Sequence, residues 1–518
     1  MRHSKPPKKA VTGSAAAVLM CAGALFGAPA AAVTSGQPAT LGADPLPTWQ
    51  TNGVVWSLAY ARGVVYAGGT FDAVRPPGAK AGTRTVVRHN FAAFDAVTGK
   101  LLPCAPSFQD GGGPYVTGTV RALKASPDGR VLYVGGLFHR VGSTGVVNAV
   151  AVNTSDCSLR KDFRPVVSAT VRAIETTGKE VYLGGDFHMV DDQVRYRVAA
   201  LTHSGSLLPF KADIDLSVRA LSAVPAQREL LVGGDFVWVN GDLVRSLVAL
   251  NPTTGATVHT YPDWLPPASR VKTIARDGSR FYIGAEGDGQ GVFDGRIAGR
   301  LRNNTMVWKD TCLGATQAVL PVKDVLYSAS HAHDCSRTPG GFPEQGIRHT
   351  LLAQSVTDRH ILHWFPDTDG GLGEGVGPRT LTAARDTLWV GGEFTQVNGR
   401  PQQGLTRFGT SAPKSAPQAP ALTLASVSPG KATIGWHAVW DRNVALLTYR
   451  LYRDGKLISR QTKSSTPWHL PDMSYTDSVP AGAHHRYTIE VTNGTRTSPR
   501  SAPLPVTVPA PGGRKSGA

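Results

Sequence analysis

Val218-Arg219-Ala220-Leu221, then Val232-Gly233-Gly234-Asp235-Phe236, then Val239-Asn240-Gly241: this stretch decides the fold, because it recurs. The same order stands at Val120-Arg121-Ala122-Leu123 with Val134-Gly135-Gly136-Leu137-Phe138. It returns at Val171-Arg172-Ala173-Ile174 with Leu183-Gly184-Gly185-Asp186-Phe187. An earlier copy is Val55-Trp56-Ser57-Leu58 with Ala67-Gly68-Gly69-Thr70-Phe71, and a late one is Pro378-Arg379-Thr380-Leu381 with Val390-Gly391-Gly392-Glu393-Phe394. Two weaker copies lie between them. Val271-Lys272-Thr273-Ile274 leads to Ile283-Gly284-Ala285, and Thr316-Gln317-Ala318-Val319 leads to Ser328-Ala329-Ser330. That makes seven units, with a central spacing of roughly 50 residues, the length of four short strands.

The unit has a physical reading. Its first two strands are short and apolar on both faces, as strands packed between neighbouring layers must be. The Gly pair permits a bulge or a close backbone approach. A third strand follows, as at Ala199-Ala200-Leu201 or Val248-Ala249-Leu250, and then turn residues such as Asn251-Pro252-Thr253-Thr254-Gly255. The expected fold is all-β: a seven-bladed β-propeller over residues 33–410. Residues 45–52 are expected to add a strand to the last unit and remove its free edge.

Val232 to Gly241, and Val390 to Gly399 again, resemble the delta-60 type β-propeller repeat of exported bacterial proteins. The resemblance covers about residues 45–410. It implies the propeller fold and an exported location, and it implies no reaction.

Either side of the repeats the chain changes character. Arg2, Lys5, Lys8 and Lys9 precede an apolar run from Ala15 to Phe26, and Ala30-Ala31-Ala32 offers small residues for cleavage. Residues 1–32 therefore read as a signal peptide. No later run approaches the roughly 20 apolar residues of a membrane span. The formal charge of +17 falls to +13 without the four signal cations, and residues 412–518 carry +8 of that (13 Lys+Arg, 5 Asp+Glu). The propeller region keeps about +5, without the basic stripe and interleaved aromatics of a nucleic-acid binder. Cys104, Cys157, Cys312 and Cys335 remain after cleavage. An even number in an exported chain favours disulfides, with Cys104–Cys157 and Cys312–Cys335 the pairings of nearest neighbours.

Residues 411–420 are rich in Pro, Ala and Ser and read as a linker. Alternating strands return over 421–510, at Ala432-Thr433-Ile434-Gly435-Trp436, Tyr449-Arg450-Leu451-Tyr452 and Tyr487-Thr488-Ile489-Glu490-Val491. They predict an immunoglobulin-like β-sandwich. The stretch resembles a fibronectin type III domain, which implies that Trp436 is its core Trp and that Pro480-Ala481-Gly482 with Tyr487 forms its tyrosine corner. Residues 511–518 read as a disordered basic tail.

Chemistry is sparse. Asp186, Asp235 and Glu393 occupy equivalent points after Gly-Gly and are the weak catalytic candidates, as a carboxylate pair for glycoside hydrolysis. His331, His333, Asp334, His363 and Trp364 are the ligand-binding candidates of the irregular stretch 284–378. His331 and His333 with Asp367 and Asp369 are weak metal candidates, and Asp367-Thr368-Asp369-Gly370-Gly371 looks briefly like a calcium loop without its closing Glu. Trp238, Trp264, Trp308, Trp364 and Trp389 are candidates for stacking on sugar faces. No Gly-x-Ser-x-Gly elbow or phosphate loop is present. The expected cofactor set is none, with calcium the alternative.

The expected function is a secreted binding or scaffold protein, monomeric, extracellular or cell-wall associated. Its propeller would present a surface to extracellular or cell-wall polysaccharide or to a protein partner. The alternative is a secreted glycoside hydrolase, or an accessory module in polysaccharide degradation. That alternative rests on analogy with polysaccharide-degrading enzymes that carry fibronectin type III modules.

Overall fold

Among the described residues of the computed structural model, every regular element is a β-strand. The structure describes residues 36–110, 118–287 and 291–511. The expected signal peptide, and the tail from 512, lie outside the described residues. Among the described residues no helix is long and apolar enough to cross a membrane.

Seven sheets among the described residues share one plan. Each opens with a long antiparallel pair, such as Val171–Thr176 with Glu180–Gly185, and adds a third strand, such as Val198–Thr202. Thr257–Thr260 and Met306–Asp310 add a fourth strand to two of the sheets. The opening strands touch one another in chain order, and Val54–Ala61 also touches Pro378–Ala384, the opening strand of the last sheet. An all-β chain of this plan fits a β-propeller.

The Gly pair explains how closely the sheets approach. A Cβ on Gly184 would stand 2.6 Å from Val218 Cγ1 of the next sheet, and one on Gly391 2.6 Å from Val55 Cγ1 of the first sheet. A Cβ on Gly185 would meet the Thr170 carbonyl at 2.1 Å. The first glycine therefore admits the neighbouring sheet, and the second admits the backbone of its own. The Val-Asn-Gly tail is a hairpin turn. Trp238–Val239 pairs with Asp242–Leu243 around Asn240 and Gly241, whose φ angles of 53° and 89° suit a type I′ turn.

The N-terminal segment does reach the last sheet, a few residues earlier than expected. Gly42 N–H donates to the Gly409 carbonyl and Leu46 N–H to the Arg407 carbonyl, both at 2.8 Å. Gln50–Thr51 turns instead to Ala73–Arg75 of the first sheet's outer hairpin. Both disulfides form, Cys104–Cys157 and Cys312–Cys335.

Beyond residue 420, two sheets of three and four strands enclose Trp436, Tyr449 and Tyr487. The Tyr487 hydroxyl donates to Asp477 Oδ2 at 2.8 Å, and Arg453 binds both oxygens of that carboxylate. These sheets are seated on the propeller-like part, within one compact unit over Pro38–Ala518. Trp468 packs on Phe342, His349 and Phe365. Lys414 N–H donates to Asp44, and Asn493 donates to the Ser415 carbonyl, so the Pro/Ala-rich stretch is held at both sides.

Candidate functional site

The second residue of every repeat has a fate the sequence did not disclose. In each opening pair the register shifts after the first residue: between Val55 and Ser57, Val120 and Ala122, Val171 and Ala173, and Val218 and Ala220. The same shift lies between Val271 and Thr273, Thr316 and Ala318, and Pro378 and Thr380. The skipped residues are Trp56, Arg121, Arg172, Arg219, Lys272, Gln317 and Arg379. A bulge leaves its extra residue unpaired and re-aims its side chain. Here all seven line one cavity, which opens into a larger channel of about 680 Å³ lined by the opening strands of the seven sheets.

Five cations converge there, so their partners decide the chemistry. Arg172 Nε donates to Asp186 Oδ1 at 2.7 Å. Arg219 grips both oxygens of Asp235, at 2.7 and 2.6 Å. Lys272 Nζ donates to Glu286 Oε1 at 2.6 Å, and Gln317 reaches the other oxygen of Glu286 at 3.1 Å. Arg379 Nη2 holds Glu374 at 2.8 Å and Glu393 at 3.0 Å. Trp56 Nε1 donates to Thr70 Oγ1 at 3.0 Å. Four of the five carboxylates come from one repeat position, the residue after the small pair: Asp186, Asp235, Glu286 and Glu393; Glu374 comes from the loop before the last sheet.

The pairing is reflected in proton affinity. Burial pushes the Asp186 carboxyl up, but hydrogen bonds from Arg172 and Ser217 outweigh it and hold the group below the ordinary carboxylate value. Burial pulls the Arg219 guanidinium down, and Asp235 more than offsets it. Arg121 has no such partner. Burial, then repulsion from Arg172 and Arg379, brings it down to about 10.

Asp186, Asp235 and Glu393 are thus ion-pair partners of the ring cations. Glu393 is 2 % exposed, and both its oxygens also accept amides, from Glu374 and Val376. In this structure the three weak catalytic candidates neutralise the bulged cations.

The ligand and metal candidates of the irregular stretch are not brought together. His331 Nε2 accepts from the Ala315 amide, His333 pairs with Glu344, and Asp334 accepts the Ser336 amide. His363 Nε2 lies 2.7 Å from the Asp441 carbonyl of the C-terminal sheets. Trp364 is fully buried against Tyr327 and Phe408, which rules it out as a ligand platform. Asp367 accepts from Thr350 and Thr368. Asp369 accepts the Thr395 and Gln396 amides, as Asp215 does for Val237 and Trp238. The calcium-like run is a repeated hairpin cap, and no group of three or more His, Cys, Asp or Glu among the described residues could hold a metal ion. The irregular stretch is instead the seat of the C-terminal sheets. Of the five tryptophans named for stacking, Trp264, Trp308, Trp364 and Trp389 are buried, and Trp238 is 50 % exposed on its hairpin.

No protein-family model matches the chain. No curated protein matches it. Among solved structures, it is similar to Sqt1 of Saccharomyces cerevisiae, at 12 % identity and a TM-score of 0.41, covering 72 % of this chain and 100 % of that one. It is also similar to dihydro-heme d1 dehydrogenase NirN in complex with DHE, at 14 % identity and a TM-score of 0.35, covering 72 % of this chain and 77 % of that one. Likenesses this distant carry no argument about activity.

Proposed function

We propose that the chain is a secreted binding protein: a seven-bladed propeller of delta-60 type repeats followed by a fibronectin type III domain. Its ligand is an extracellular or cell-wall polysaccharide, engaged at the channel mouth. The observation that supports this reading is the mouth itself. Seven equivalent bulged side chains, one from each sheet, converge on one polar cavity. A repeated structural unit has no need of cations there for its packing. They cost desolvation, and each placed opposite a carboxylate recovers part of that cost. A polar mouth on a rigid scaffold suits recognition.

The carboxylates named for the hydrolase alternative are engaged at the same place. Asp235 has both oxygens taken by Arg219, and Glu393 is enclosed, so neither is free to meet a glycosidic oxygen. The C-terminal sheets serve as a seated second body.

Retention of the mature protein on a panel of immobilised polysaccharides tests the reading. It predicts retention on at least one and no release of reducing sugar from any. No retention on the whole panel contradicts polysaccharide binding.

A further inference from the structure

Six of the seven bulged positions find a polar partner within the chain. The partner comes from the residue after the small pair of the same sheet, or, for Gln317, from that of the neighbouring sheet. In the second sheet that residue is Leu137, which offers no polar atom. Arg121 is left with no hydrogen bond and no ion pair among the described residues, and Glu374, which Arg379 holds, acts on it only at longer range. The Trp56 ring lies against it, 3.8 Å from its guanidinium carbon. Five ring cations face five carboxylates, but Arg379 takes two of them, Glu374 and Glu393, so Arg121 has none.

We propose that the channel mouth holds an oxyanion of the ligand, a carboxylate or a phosphate group, on Arg121, in the place that Asp186, Asp235, Glu286 and Glu393 fill in four of the other sheets. The inference rests on the reading of the mouth as the ligand site and names the chemistry that the site takes. A guanidinium presents a planar fork that matches two oxygens of such a group. The cavity bounded by the seven ring residues is about 140 Å³, room for one acidic group and not for several sugar units. Arg172 and Arg379 crowd Arg121 with like charge, and an anion at this point relieves that repulsion. Trp56 carries Arg379 as well as Arg121 against its ring, at 4.4 and 3.8 Å, which fixes the direction of the fork.

Calorimetric titration of the full mature chain with sodium glucuronate, inorganic phosphate and glucose, at constant ionic strength, tests the site. One of the two anions binds saturably, glucose at least tenfold more weakly. The tighter anion tells whether the natural group is a sugar acid or a phosphate. Two variants make the test specific. Arg121→Gln removes the fork. Leu137→Asp keeps it but supplies the missing carboxylate from within, at a position 36 % exposed that tolerates the change. Both are expected to lose at least tenfold in anion affinity with the melting temperature retained. Anion binding that survives in either variant, or no binding of either anion at millimolar concentration, overturns the proposal. If a neutral polysaccharide is retained and Arg121→Gln leaves it so, the anion site fails while polysaccharide binding stands. If the anions bind as expected and no polysaccharide is retained, the reverse holds.

Discussion

At the scale of single residues, two features of the repeat carry the structure. The small pair lets sheets approach, and the bulged residue lines the mouth. The first was legible, because a Gly pair recurring at one point of every strong repeat, always before a Phe, marks a place with no room for a side chain. Its strength can be measured. Gly184→Ala places a methyl 2.6 Å from Val218 Cγ1 and is expected to cost about 1–3 kcal/mol. Gly178→Ala, with open space around it, is expected to change stability by less than about 0.5 kcal/mol in denaturant unfolding. Equal effects would remove close approach as the reason for the pair. The bulge was not legible. Arg172 and Asp186 are 14 residues apart, and only the strand register shows that one neutralises the other. Read along the chain, Asp186, Asp235 and Glu393 therefore looked like free carboxylates. A signal was nevertheless present: position two is cationic in all four copies where the residue after the pair is acidic, and the cationic Arg121 facing Leu137 breaks the converse match.

At the scale of elements, hairpin and edge chemistry follow local rules. Asn240-Gly241 and Asn398-Gly399 turn their hairpins at positive φ, as an Asn-Gly pair after a valine announces. Asp369 drew notice as a weak metal candidate because an Asp capping two amides resembles the start of a calcium loop in spacing. The closing segment was legible in outline, since the last unit lacked an outer strand. Its register was not, since one residue of slip leaves the composition unchanged. Starting the chain at Thr48 removes the bonds from Gly42 and Leu46 and the burial of Ala43. That truncation is expected to cost at least about 2 kcal/mol and to promote association through the bared edge. Thermal unfolding and light scattering check both. An unchanged melting temperature would show that the segment is a bystander.

At the scale of the molecule, the irregular stretch around Cys312–Cys335 is where the C-terminal sheets dock. It drew attention as a site because insertions on rigid scaffolds often carry function. Nothing along the chain connects His349 or His363 to residues 441 and 468, so the seat was invisible there. The seat makes stability depend on pH. Burial against Phe342 and Trp468 holds the His349 imidazole down at about 4, against an ordinary 6.5. The folded chain keeps it neutral where the unfolded chain takes a proton. Its contribution is therefore full above about pH 6.5 and falls as pH drops toward 4, by on the order of 1–3 kcal/mol. His349→Phe is expected to flatten that part of the stability–pH curve. A curve with the same slope in the variant would place the titration elsewhere.

The measurement that tests the account most directly is retention on the polysaccharide panel, run side by side for the mature protein and for an Arg172→Ala/Arg219→Ala variant with its melting temperature recorded. Two cations of the mouth are removed there, and the partly exposed Asp186 and Asp235 stay hydrated. The account predicts that the protein is retained and that the variant, still folded, is not. Equal retention of the two would contradict it, and would move the ligand site away from the channel mouth.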